Sequence, residues 1–415
     1  MDEETSNIAG KPPRPLDGIR IVECATWHAA PGGSAILADL GADVIKIETA
    51  AGDPERQNKN LGAVRFDLEG SKPGWSFLFE MSNRNKRGIC LNIKSDKGQE
   101  IVHELVKEAD VFVTNLRQTT KPRYGMDYET LSKINPRLIH ANMSGFGPQG
   151  PMGNAGGFDP LGQAISGMMF LADDKEPVYL QAMILDQMAS IAFSHSIMAA
   201  LIARDRQGIG QEIHVSLYSA ALMLMHVNTL ATAMMKKNPV SRWNRSRNPP
   251  LRNNFLCRDG KWLVGTNHPE QKYWSTFCRV TNMEHLENNP RFADSESRLK
   301  HSAELTGMFD EVFLTKDRGE WMTLFIEAGL LFAPIQTLAD VIKDPQALAN
   351  NYIIDFEHPQ FGPVQIPGYP ASFSKNAAGT HRAAPELGEH TDQVMKEIGL
   401  SVSQIDALRK AGVVK

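Results

Sequence analysis

The sequence is poor in cysteine. Cys24, Cys90, Cys257 and Cys278 are the only thiols in 415 residues, and no two of them form a CxxC pair. This excludes a disulfide framework and a thiolate metal cage, and it points to a reduced, cytoplasmic setting. An excess of positive charge is also missing: 44 basic residues face 48 acidic ones, for a formal charge of -4. No broad basic field remains for a nucleic-acid backbone. The chain contains no HExxH, GxxxxGK(S/T) or GxSxG, and no GxGxxG in the turn that follows the first expected strand. Zinc hydrolysis, a P-loop, a serine nucleophile elbow and ordinary dinucleotide binding are therefore not expected, and no metal is called for. The opening MDEETSNIAGKPPRP lacks the apolar core of a signal peptide and reads as a disordered lead-in. The longest apolar stretch, Leu217 to Met235, contains His226 and Asn228 and is diluted by Ser219, Thr229 and Thr232. That favours a helix buried in protein over a membrane span.

What is present is the composition of a folded enzyme, 42% apolar with 33 glycines besides. The length exceeds one ordinary core, so two domains are expected. Over the first 145 residues short β-rich runs alternate with helical patterns, which is how an α/β parallel sheet covered by helices is written. Strands are expected at 18–24, 42–48, 87–93, 109–115, 137–143 and 212–218. A helix at 31–41 starts with Pro31 and ends at Gly41, and one at 96–108 turns Ile101, Val102, Leu105 and Val106 inward. Ligands of such doubly wound sheets sit in the loops leaving the carboxyl ends of the strands, and GPQGPMGNAGGFDP at 147–160 is a loop of that kind. Met188, Ile191, Ala192, His195, Met198, Ala199 and Ile202 recur at helical spacing and predict a buried stripe, with His195 a core residue rather than a catalyst.

From 236 the chain turns basic and proline-broken, KKNPVSRWNRSRNPPLRNN. This marks a crossing from a large domain over 1–235 into a small one over 236–335, with 336–415 returning. Asp259-Gly260 signals a hairpin near the start of the small domain. Arg242, Arg245, Arg247 and Arg252 cluster at the crossing and read first as structural charges, second as carriers of a carboxylate. Glu48 ends the second strand, where a ribose-binding acid would stand, but the preceding ATWHAA-PGGS turn lacks the glycines that let a pyrophosphate approach.

Several segments occur in a telling order: PLDGIRIVECATWHAAPGGSAILADLGADVIKIE, NRNKRGICLNIKSDKG, ADVFVTNLRQTTKPRYGMDYETLSKINPRLIHANMSGFGPQGP, RDRQGIGQEIHVSL, DGKW and LGEHTDQVMKEIGLS. Together they resemble the class III CoA-transferase family, which also contains formyl-CoA and carnitine CoA-transferases and α-methylacyl-CoA racemases. The resemblance implies a Rossmann-like large domain built from both chain ends, a smaller α+β domain, and two subunits interlocked as a homodimer, with a paralogous second subunit left open. It implies acyl-CoA as donor, with succinyl-CoA one candidate, and a free carboxylic acid as acceptor. It implies no membrane and no nucleic-acid partner.

Within that pattern Asp186, in LQAMILDQMAS, matches the nucleophilic aspartate. A carboxylate among Met183, Ile184, Leu185 and Met188 is out of place as a solvated charge, and the start of a helix would hold it ionised at neutral pH; without the family pattern it would read as a plain N-cap. By position the resemblance assigns CoA contacts to His28, Ala29, Leu91, Lys94, Asn115, Leu116 and Arg123. Two departures qualify this: Thr49 follows Glu48 where some members carry a basic residue, and a tetraglycine loop before DGKW is missing. Racemases of the family carry GHD where this chain has Gly157, Phe158 and Asp159, and phenylalanine moves no proton. A transferase is therefore expected over a racemase or a non-catalytic CoA-binding protein. Met168, Met169, Phe170, Met183, Met188, Met223, Met225, Met234 and Met235 surround the nucleophile in sequence and favour a bulky apolar or aromatic acceptor.

Overall fold

A computed structural model describes residues 12–61, 64–66 and 68–415. Residues 1–11 of the expected lead-in lie outside that range, but its last residues are anchored. Arg14 donates to the carbonyls of Asp39 at 2.9 Å and Gly379 at 3.0 Å.

Six parallel strands form the central sheet: β1 Arg20–Cys24, β2 Asp43–Glu48, β3 Arg87–Cys90, β4 Val111–Thr114, β5 Ile139–Ser144 and β6 Gln211–Ser216, in the order β3-β2-β1-β4-β5-β6. Each expected strand is found, with ends shifted by no more than three residues. β1 to β5 are buried almost throughout because both faces are covered. Ile21, Val44, Val111 and Ile139 face one core, built with helices α1 Ala29–Asp39, α6 Ile184–Gln207 and α7 Leu217–Leu224. Val22, Ile45, Ile89 and Phe112 face the other, built with α3 Asp96–Lys107, α4 Tyr128–Ile134 and the terminal helices Thr391–Glu397 and Val402–Lys410. Two more helices bear on the site, α2 Phe77–Asn83 and α5 Asp159–Ser166, and α8 His226–Met235 follows α7.

α1 meets α6 through glycines, so it contributes no side chain of its own at Gly32 and Gly33. A β-carbon on Gly32 would stand 2.5 Å from Ser190 Oγ, and one on Gly33 would stand 2.9 Å from Phe193 Cδ1. The PGGS glycines therefore serve a helix–helix approach, which fixes the height of the α6 N-terminus above the sheet.

This contact also overturns the predicted buried stripe. The inward face of α6 is Leu185, Ala189, Ser190, Phe193, Ser194, Ile197, Ala200 and Leu201, while Ile191, His195 and Ile202 are exposed. Ser190 and Phe193 meet the glycines of α1, and periodicity cannot choose between two faces that both carry apolar residues. The 217–235 stretch is not one buried helix either: α7 and α8 bend by 75°, and no residue of α8 is buried. Among the described residues α6 alone is long and apolar enough by composition to cross a membrane, and its inner face packs on α1.

The chain divides by contacts into a unit running to Ser241 and resuming over Asn351–Lys415, and a unit Arg242–Asn350. In the latter, strands Asn254–Leu256, Trp262–Gly265 and Phe332–Ile335 form an antiparallel sheet over an aromatic core of Phe255, Trp274, Phe277, Phe309, Phe313 and Trp321. The expected Asp259-Gly260 turn is present, with Gly260 at φ +73° and its N–H on the Cys257 carbonyl at 3.0 Å. Arg245 is structural here, pairing with Asp310 and donating to the Asn254 carbonyl at 3.0 Å.

Candidate active site

β1 and β4 are adjacent in the sheet, yet the chain leaves them in opposite directions, which opens a crevice at their carboxyl ends. Asn115 pins this opening. Its side chain accepts from the Thr26 N–H at 3.1 Å and donates to the Thr26 carbonyl at 2.6 Å. Above it lies a cavity of about 740 Å³, walled by the β1–α1 loop, the β4 exit, the 153–160 loop and the start of α6. Gly145 and Gly157 allow that loop to close over the sheet: a β-carbon on Gly157 would stand 2.5 Å from Gly145 Cα, and one on Gly145 2.6 Å from Gly157 Cα.

Asp186 lies in the first turn of α6, half-buried and facing the cavity. The residue before the helix, Met183, is left-handed at φ +49° and supplies no side-chain cap. The cap comes from elsewhere: the Leu185 and Asp186 N–H groups donate to Asp159 Oδ2 at 2.7 and 3.2 Å, and Gln163 donates to Asp159 Oδ1 at 2.6 Å. This corrects the expectation that the helix start keeps Asp186 ionised. Burial pushes its carboxyl up to about 7; His28 opposes the rise, while the Asp159 and Glu55 charges add to it. Burial, with Asp159 and Asp186 adding, also raises the Tyr179 phenol on the same wall.

His28 precedes α1 and lies 4% exposed in the cavity wall. Its Nδ1 is 3.0 Å from Glu55 Oε1 and its Nε2 is 2.8 Å from the Gln187 side-chain amide nitrogen. Behind it the charges continue without solvent. Asp53 accepts from the Trp27 N–H at 3.1 Å, the Glu55 N–H at 3.0 Å and Lys46 Nζ at 2.9 Å, while Lys46 and Lys86 share Glu23. Trp27 is left-handed at φ +65°, a conformation that costs about 1–3 kcal/mol outside glycine. Its ring meets Phe158 edge-on at 5.2 Å over the cavity.

Of the residues expected from sequence, Asp186, His28, Ala29, Asn115 and Leu116 converge on the cavity. Leu91 is fully buried against Val414, and Lys94 and Arg123 are exposed; none of these three lines it. Of the methionines named from sequence only Met183 reaches the lining, and the aromatic border is Trp27, Phe158 and Tyr179 instead. Glu48 is no ribose acid: it accepts a bidentate pair from Arg56 at 2.7 Å and the Asp53 N–H at 2.9 Å. Sequence reasoning missed Glu55, Asp53, Tyr179, Arg117 and Lys121. Asp53-Pro54-Glu55 is legible as a helical-turn start, but nothing local places it under His28.

The profile of CoA-transferase family III matches residues 16–391. An (R)-2-hydroxy-4-methylpentanoate CoA-transferase of Clostridioides difficile is 30% identical over 404 residues, 96% of this chain and 99% of that protein. A succinyl-CoA:glutarate CoA-transferase of Mus musculus is 30% identical over 389 residues, 93% of this chain and 86% of that protein. The crystal structure of a CAIB/BAIF family protein from Brucella suis superimposes with a TM-score of 0.81 at 30% identity, covering 93% of this chain and 100% of that one. With its α/β fold of one six-stranded parallel sheet and its carboxylate-bearing cavity, the chain belongs to CoA-transferase family III and is a CoA-transferase.

Proposed function

We propose that this CoA-transferase moves CoA from an acyl-CoA thioester to a free carboxylic acid with Asp186 as nucleophile. An Asp186 oxygen attacks the thioester carbonyl, the C–S bond breaks, and the thiolate leaves a mixed anhydride. The thiolate then attacks the Asp186 γ-carbon, releasing the donor acid and forming an aspartyl-CoA thioester. The acceptor carboxylate attacks that γ-carbon, the thiolate returns to the acceptor carbonyl, and Asp186 is restored. Charge and protons balance, so the site needs an anion at 186 and donors for the oxyanions, for which the glycine-rich loop lining the cavity is our candidate source.

The observation that carries this reading is the half-buried Asp186 carboxyl facing a cavity lined by the glycine-rich 153–158 loop and by aromatic rings. Trp27, Phe158 and Tyr179 favour a bulky apolar or aromatic acceptor. Against a racemase, both His28 nitrogens are engaged, by Glu55 and Gln187, and Phe158 has no proton to give. His28, Ala29, Asn115 and Leu116 would hold the pantetheine end of CoA, with the exposed Lys94 and Arg123 meeting its more distant parts, while the buried Leu91 supports the sheet instead. The exposed apolar faces of α6 and α8 support a homodimer, and four buried, unpaired cysteines suit a reduced cytoplasm.

The test is to incubate the protein with acyl-CoA donors, add hydroxylamine, and map the modified peptide by mass spectrometry while assaying exchange into free acids. Acceptor-dependent exchange and a hydroxamate on Asp186 are expected. Full exchange by Asp186→Asn would remove the assignment.

A further inference from the structure

The mixed anhydride and the aspartyl-CoA thioester are both open to water, so a transferase has to keep its own cavity from working as a hydrolase. The wall beside Asp186 holds the makings of one. Glu55 is 1% exposed, its Oε2 accepts from Ser82 Oγ, its carbonyl accepts from Ser76 Oγ at 2.7 Å, and its N–H is capped by Asp53 at 3.0 Å. The carboxylate cannot swing away, so Oε1 stays on His28 Nδ1 at 3.0 Å. A carboxylate on Nδ1 of a buried imidazole keeps the ring proton there and leaves Nε2 as the basic nitrogen. The other groups of the wall are spent elsewhere: Asp159 accepts two α6 amides, and His214 Nε2 lies 3.3 Å from Glu212 Oε2.

Nε2 of His28 is not left open. The atom on it, at 2.8 Å, is the side-chain amide nitrogen of Gln187, which can only donate. Nε2 therefore accepts, Nδ1 carries the proton, and the ring is neutral with both nitrogens engaged. Gln187 is itself exposed, and among the described residues this is the one hydrogen bond of its side chain. It directly follows Asp186 in the first turn of α6, so the group that occupies the base and the carboxylate that is acylated belong to the same turn.

We propose that Gln187 is a positioning residue that suppresses hydrolysis: its amide occupies His28 Nε2 and denies water the base that stands beside the acylated Asp186. This rests on the reading of Asp186 as nucleophile. Without the amide, a water donates to Nε2 and attacks the γ-carbon of the aspartyl-CoA thioester as the C–S bond breaks. One water proton passes through Nε2 to the departing thiolate, and the carboxyl formed at 186 ionises to solvent. The net reaction turns acyl-CoA and water into free acid and CoA.

Gln187→Met keeps the length of the side chain and loses the donor. CoA thiol released without an acceptor is measured against exchange into a free acid. The ratio of hydrolysis to transfer is expected to rise about 10- to 100-fold, the scale of one general base, and His28→Asn added to the variant should return it to the wild-type level. An unchanged ratio in Gln187→Met overturns the proposal. So does a raised ratio that survives His28→Asn, because the variant then only loosens the site. Nitrogen-15 NMR of the His28 ring in the wild-type protein at pH 8 should show a proton on Nδ1 and none on Nε2; a proton on Nε2 overturns the proposal even where the variant does not fold. Should Asp186→Asn keep full exchange, the nucleophile reading falls. An inactive Asp186→Asn beside an unchanged ratio in Gln187→Met removes only the role of Gln187.

Discussion

The carboxylate of Asp159 accepts the backbone N–H groups of both Leu185 and Asp186, at 2.7 and 3.2 Å. One acid thus caps the helix that carries the other. The same oxygen that completes the α6 hydrogen bonding places a negative charge beside Asp186, and so helps to raise its carboxyl. The site gains order and basicity from one contact.

Asp159→Asn separates these effects. The amide oxygen still accepts from α6, while the charge is gone. The acid limb of the activity profile is expected at lower pH, with kcat/KM at pH 6 about two- to fivefold higher relative to its own plateau. Asp159→Ala leaves two amides without an acceptor and should cost about 1–3 kcal/mol, read as a fall in denaturant midpoint.

Asp186 should also be visible in stability against pH. Its carboxyl is raised from 3.8 to about 7, so across that interval the folded chain binds more protons than the unfolded one, and stability falls as pH rises. Asp186→Asn escapes this loss. Its thermal midpoint is expected above that of the wild type at pH 8, with the gap closing toward pH 4. A gap independent of pH would contradict the burial of that carboxyl.

Gly157→Ala tests the close passage of the 153–160 loop over the sheet. The added β-carbon meets the backbone of Gly145 at 2.5 Å, where nothing flexible can give way. A stability loss of about 1–3 kcal/mol and a drop in kcat larger than any change in KM are expected, from unfolding curves and initial rates.

The outer face of α8 carries Val227 at 79% and Met234 at 76% exposure. If two copies cover it, as proposed, Val227→Glu with Met234→Glu should shift the light-scattering mass from twice that of the chain toward the single chain, or reduce soluble yield. An unchanged dimer would place the interface elsewhere.

How much was legible in advance follows from what each signal depends on. The six strands and the helix Asp96–Lys107 were readable because their period is local: Ile101, Val102, Leu105 and Val106 face inward as the spacing required. The α6 face was misread because its true inner side mixes Ala189, Ser190 and Ser194 with Leu185, Phe193 and Ile197, and meets Gly32 and Gly33 through Ser190 and Phe193. Hydrophobicity alone ranks such a face below the greasier one outside.

Asp186 was marked by the family pattern, since its own segment, a carboxyl among apolar neighbours at a helix start, reads equally as a plain N-cap. Its surroundings were not. His28, Glu55 and Asp159 lie far from it along the chain, and only the return of β1, the turn Pro54–Gln57 and the loop before α5 to one end of the sheet brings them together. Chain order therefore determined the strands, the family and the carboxyl we propose as nucleophile. Tertiary packing decided that carboxyl's charge, because burial and the field of distant residues exist only once the chain has closed around it.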